Sequence, residues 1–209
     1  MIPRYQTILF VVLLAASVIM GTVLWNLRER AHQRLLQGVN STPTQAPQVA
    51  PAEQATLMVA NDSDNSVLAR ILSLPLPQNS EARARAVLGK LLDLYTAPDA
   101  THPVPGGAAS IAQVFLVPIA DAGGKTTQNG PELAVVNLTG AFAAGHPSGL
   151  ETETLTVLSI CATLHANLPR VTEVRFLVDG QPRATLAGHA DLTRTYLTAE
   201  AGPAEGARQ

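Results

Sequence analysis

A single cysteine, Cys161, is all the thiol chemistry this sequence offers. It excludes an internal disulfide and a thiolate metal cage. Charge is scarce too: Asp, Glu, Lys and Arg make up 14% of 209 residues, and the net charge is −2. That balance excludes the basic footprint of a nucleic-acid binder. Aromatic residues are 4% of the chain, too few to line a stacking platform for bases or sugars. Apolar residues reach 46%, but much of that is alanine. The large core formers are therefore confined to a few segments.

One such segment opens the chain. Residues 5–27 carry no charge, and the run 7–27 reads TILFVVLLAASVIMGTVLWNL. A helix of that length spans about 30 Å, the thickness of the hydrocarbon layer. Tyr5 and Trp25 flank it, where aromatic rings anchor at membrane interfaces. The run is longer than a signal-peptide core and no small-residue cleavage site follows. The expectation is a single transmembrane helix over 7–27, with residues 1–6 as a short cytoplasmic end. No cysteine follows the run, so a lipid anchor there is excluded. Charge is balanced across the run: Arg4 and the amino terminus precede it, while Arg28, Arg30 and Arg34 follow with Glu29. The positive-inside rule alone does not orient it.

Residues 28–54 read as a short helical extension and a polar spacer with prolines at 43, 47 and 51, a composition that gives a semi-extended tether. Residues 198–209 read as a disordered tail. The folded domain is expected over 55–197. Within it, 56–60 and 67–74 read as strands around a turn-rich loop at 61–65. Asn79 or Ser80 can cap a helix from Glu81 to Tyr95, with Ala84, Val87, Leu88, Leu91, Leu92 and Tyr95 on one face. Ile111–Pro118 and 133–138 read as strands, and 143–147 as loop. Ser148 and Glu151 form a capping-box pattern before a helix that ends near Leu168. Val171–Val178 alternates as a strand. Asp179-Gly180 signals a hairpin, returning as a last strand over 183–187. The order is ββα, ββα, ββ. It predicts an α+β domain with one mainly antiparallel sheet and both helices on one face. The other face, or an edge strand, is then free for another protein.

Reactive constellations are wanting. His102, His146, His165 and His189 show no metal-ligand spacing. Cys161 falls on the apolar face of its helix, as a small hydrophobe. Ser148 lacks the G-x-S-x-G elbow. Glu151 and Glu153 diverge around the helix and suit its dipole in the first turn. Gly123-Gly124-Lys125-Thr126 lacks the first glycine of a phosphate loop. The sequence thus calls for no catalytic, cofactor-binding or metal-binding residue, and no cofactor.

Four short motifs carry a resemblance. They are Asn137-Leu138-Thr139, Ala162-Thr163-Leu164, Val178-Asp179-Gly180 and Gly188-His189-Ala190-Asp191-Leu192-Thr193. With the upstream HPVPGGAASIAQVFL, their order and spacing resemble the GerMN domain family, named for spore germination and sporulation. The likeness covers about 100–196 by motif and 55–95 by element order. Asn137 stands where the family commonly has Asp, and Gly107-Ala108 where it has Gly-Thr. The resemblance implies a non-enzymatic domain outside the cytoplasmic membrane, similar in fold to the ring-building motifs of secretion machines. It places the C-terminal domain on the extracytoplasmic side. The expected partners are envelope proteins or further copies of the chain, and the alternative is a peptidoglycan-binding module or a regulator of a peptidoglycan hydrolase. The signature residues Asp179, Gly180, Gly188, His189 and Asp191 read as structural. Gly180 permits a tight turn, and Asp191 accepts local N–H groups.

Overall fold

The computed structural model describes residues 20–22, 52–121, 123–127 and 129–201. The chain divides into two units, Met1–Val49 and Ala50–Gln209. In the first, only 20–22 are described, and they are helical and exposed. The expected span 7–27 otherwise lies outside the described residues, as do the cytoplasmic end, nearly all of the spacer and most of the tail. Among the described residues no helix is long and apolar enough to cross a membrane.

In the second unit the order is β1 (Ala52–Asn61), β2 (Ser66–Pro75), α1 (Ser80–Tyr95), β3 (Ile111–Pro118), β4 (Glu132–Leu138), α2 (Gly140–Gly145), α3 (Leu150–Asn167), β5 (Val171–Val178) and β6 (Tyr196–Leu197). The α+β class holds, and three of the four strand pairings are antiparallel. The single sheet does not. β1 and β2 form their own hairpin sheet, and β3-β4-β5-β6 form a second. The pairing of β4 with β5 is parallel. The α3 crossover between them is long enough to return the chain to the same end of the sheet, which a hairpin cannot do.

Helix α1 follows its apolar period. Asn79 caps it, its side chain accepting the Ala82 N–H at 2.8 Å. Ala84, Val87, Leu88, Leu91, Leu92 and Tyr95 are all buried, the face the spacing predicts. Each large side chain among them contributes about 1.5–3 kcal/mol by leaving water. Along β4 and β5, Ala134, Val136, Leu138, Val174, Phe176 and Val178 turn inward, while their alternate neighbours Leu133, Val135, Arg175 and Leu177 do not. The outer face of this sheet keeps Phe115, Val117 and Leu197 exposed.

Three local expectations are corrected. Residues 183–187 are not a strand. After Asp179-Gly180 only the isolated pairs Val178–Gln181 and Thr185–Asp191 form, and the chain leaves the sheet until β6. The Leu186 N–H donates to the Ala190 carbonyl within a tight loop, and the amides of Ala187, His189 and Ala190 go to a buried carboxylate. The segment 143–147 is not all loop, because α2 covers its first half, with Thr139 Oγ1 accepting the Phe142 N–H. Helix α3 is not capped by Ser148. Gly149 is its N-cap residue and has no side chain to offer, while Glu153, not Glu151, reaches back to the Gly149 N–H at 3.2 Å.

The outer edge of β1 is closed by helix side chains. Its N–H groups at Thr56, Met58 and Ala60 donate to Asn167 Oδ1 at 3.1 Å, Thr163 Oγ1 at 2.9 Å and Tyr95 Oη at 2.9 Å. Asn167 Nδ2 also donates to the Thr56 carbonyl at 2.7 Å. Two helices thus substitute for a missing strand. This closure ties the hairpin to the rest of the unit, since a lone two-stranded hairpin is marginal in water.

Candidate functional site

Parallel β4 and β5 end side by side, so the segments that follow them meet. Two signature motifs interlock there. Asn137 Oδ1 accepts the Gly180 N–H at 2.8 Å. The Asp179 N–H donates to the Leu138 carbonyl at 2.9 Å, and Asp179 Oδ1 accepts the Gly140 N–H at 2.8 Å. Asp179 and Gly180 have φ of 50° and 75°, the two left-handed centres of a type I′ turn. Gly140 is glycine for space: a Cβ there would lie 2.2 Å from Asp179 Oδ2.

The last signature motif wraps the start of α3. Glu153 is fully buried. Its Oε2 accepts N–H groups from Ala187, His189 and Ala190, each at 2.9 Å. Its Oε1 accepts from Gly149 and, at 3.0 Å, from the His189 ring at Nδ1. Burial works to raise this carboxyl's pKa. The amides and the ring outweigh it and bring the value down to about 2. Gly188, with φ of 129°, lets consecutive amides turn toward one carboxylate. Asp191 Oδ1 accepts the Thr193 N–H at 2.8 Å and its hydroxyl at 2.6 Å, the Asx turn expected of it. Those bonds hold its carboxyl below its ordinary range. Tyr196 Oη then donates to the Asp191 carbonyl at 2.6 Å and closes the loop.

A third polar cluster was invisible in the sequence. Asp62 Oδ1 meets His102 Nδ1 at 2.5 Å, and His102 Nε2 meets Thr156 Oγ1 at 2.7 Å. Thr156 Oγ1 also meets His146 Nε2 at 2.8 Å, and His146 Nδ1 meets the Pro147 carbonyl at 2.8 Å. Burial lowers the pKa of His146, the Pro147 carbonyl opposes this, and His102 adds to the lowering.

The row Thr156, His102, Asp62 has the order of a nucleophile, base and orienting acid. Yet His102 and Thr156 have no exposed surface, and the Thr156 hydroxyl is also bonded to the Thr152 carbonyl. No position beside that oxygen is open to a substrate carbonyl. Burial pushes the Cys161 thiol up, far from thiolate character. Tyr95 is pushed up to about 12 by desolvation. Among the described residues no three acidic, histidine or cysteine side chains gather as metal ligands. A groove of about 540 Å³ runs beside α1, with Leu74, Leu76 and Ala86 in its wall. Its Arg85 and Asp93 are already bonded to the Ile111 carbonyl and the Ala108 N–H.

The five signature residues therefore sit in two structural knots. Glu153, His102 and Thr156 hold the polar interior, a role no local motif announced. A family model described as Germane, sporulation and spore germination, matches residues 56–184. The first GerMN domain of the sporulation protein GerM from Bacillus subtilis is 16% identical. That match covers 71% of this chain and 98% of the GerMN domain, with a TM-score of 0.41. The tandem GerMN domains of the same protein are also 16% identical. That match covers 68% of this chain and 44% of the tandem, with a TM-score of 0.38. No curated protein matches the chain.

Proposed function

We propose, for a chain that belongs to the Germane family of sporulation and spore-germination domains, a role as a non-enzymatic assembly module of the bacterial cell envelope. The apolar run 7–27 would hold it in the cytoplasmic membrane by a single pass, with the folded unit outside. One observation carries this reading. The side chains capable of chemistry are bonded to each other inside the fold, while large apolar side chains stand on the surface. Glu153, His102 and Thr156 are buried and bonded, whereas Leu68, Ile71, Phe115, Val117 and Leu197 are exposed. Of these, Phe115, Val117 and Leu197 share the outer face of the four-stranded sheet, and apolar faces that are contiguous mark contact with other macromolecules.

In-cell crosslinking of tagged full-length protein tests the role. Discrete adducts with envelope proteins are expected. Saturable pelleting with peptidoglycan sacculi, without protein adducts, would replace this reading with a cell-wall ligand. A reporter active only in the cytosol, fused after Gln209 and found switched on, would overturn the placement.

A further inference from the structure

We propose that the open edge of β2 is a docking site for an extended, acidic strand of another envelope protein. The inference rests on the assembly role above and names the surface and the chemistry of the partner.

The edge follows from the register. Thr56, Met58 and Ala60 of β1 point their N–H groups at helix side chains, so Leu57 and Val59 face β2. Leu57 stands opposite Arg70, and Val59 opposite Leu68. Main-chain groups of Val67, Ala69, Ile71 and Ser73 consequently point away from β1. Among the described residues no strand pairs with them, because β2 has β1 as its one neighbour.

Proteins ordinarily guard such edges, and those of β1 and β3 are guarded here. Helix side chains close β1. On β3, Glu81 of α1 accepts the Leu116 N–H at 3.2 Å and Arg85 donates to the Ile111 carbonyl at 3.3 Å. β6 is two residues long. β2 is ten residues long, has no bulge in its pairing, and exposes Leu68 and Ile71 by 57% and 64%.

Charge selects the occupant. Arg70 is the one charged residue of β2 and is exposed near its middle. A second copy, paired antiparallel about a two-fold axis near that residue, would bring both Arg70 side chains opposite or diagonal to each other. Like charges so placed are destabilising, and β2 has no carboxylate to offset them. A foreign strand with Asp or Glu opposite Arg70 gives an attractive cross-strand pair. Apolar residues beside that carboxylate would cover Leu68 on one face and Ile71 on the other.

Residue-resolved hydrogen exchange on the full-length protein in detergent tests this. The probe is a short capped peptide of alternating threonine and valine with a central glutamate. With it, exchange at Val67, Ala69, Ile71 and Ser73 should slow about tenfold or more, while Leu68, Arg70 and Leu72, already paired to β1, change little. Replacing the glutamate with lysine, or Arg70→Glu in the protein, should abolish the protection, and combining both changes should restore it. No alternating protection with either peptide overturns the proposal. Protection that rises with protein concentration, without peptide, assigns the edge to a second copy and overturns the partner named here. Adducts from Phe115 in cells, with β2 amides unprotected, would sink this inference and leave the assembly role standing. Absence of adducts from every surface position would sink both.

Discussion

Glu153 and His189 are 36 residues apart in sequence, and they are bonded twice. The His189 N–H donates to Oε2 at 2.9 Å and its ring to Oε1 at 3.0 Å. This pair fastens the loop between β5 and β6 over the first turn of α3. It also accounts for the histidine of the last signature motif without any chemistry.

The pair makes an acid-stability prediction. An unfolded glutamate titrates near about 4.3, and Glu153 titrates at about 2 in the fold. Its folded value is depressed, so its contribution is fully present above the unfolded value and is lost as pH falls toward 2. The linkage amounts to about 3 kcal/mol. Urea midpoints should fall between pH 5 and pH 2 in the natural protein. Glu153→Gln should be destabilised at pH 6 and show a flatter acid limb.

Two glycines should fail for different reasons. Gly180 has a left-handed φ of 75°, yet a Cβ added there would meet nothing within 4 Å. Gly180→Val should cost about 1–3 kcal/mol through backbone strain alone, and Gly180→Asn much less, because asparagine tolerates that conformation. Gly140→Ala must move Asp179 and should lose the turn's lock as well. Thermal melts of the three variants rank them; an unchanged Tm for Gly180→Val contradicts the turn assignment.

Thr156→Val keeps the shape of the side chain and removes its hydroxyl. His102 Nε2 and His146 Nε2 both meet that oxygen, and both would be left buried without a partner. Such groups cost about 1–3 kcal/mol each. Chemical denaturation should show a loss of at least that order; an equal midpoint would mean the row is dispensable.

Asn167→Ala should open the closed edge of β1. The Thr56 N–H loses its acceptor, and its carbonyl loses its donor. Hydrogen exchange at Thr56 should quicken while that at Leu57, bonded toward β2, stays slow.

Cys161 should be silent to thiol reagents in the native state. It is fully buried, and burial raises its pKa. Labelling should appear only with unfolding; rapid native labelling would mean an open site on α3.

Local pattern made part of this fold legible. The period of α1 and the alternation of β5 gave their faces and bounds, because each depends on neighbours within a few residues. The rest depends on partners far along the chain. Thr56 meets Asn167 across 111 positions, and His102 meets Thr156 across 54. Glu153 looked like a dipole partner, since a first-turn carboxylate is ordinarily wet. Only the loop arriving at Ala187 and His189 buries it. The strand predicted over 183–187 folds instead into a tight loop, in which Leu186 donates to the Ala190 carbonyl and Ala187 to that carboxylate. Of the surface, Leu68 and Ile71 read only as members of an apolar strand over 67–74. Their exposure appears only once the outer edge of β2 is seen to be vacant.

The central claim is that this domain works through its surfaces. Photocrosslinking residues at Ile71 and Phe115, compared with exposed Leu150 in the full-length protein in its own membrane, test it most directly. The account predicts discrete adducts from Ile71 that vanish with Arg70→Glu, and none of that dependence from Leu150. Equal adducts at all three positions, or none at any, would contradict it.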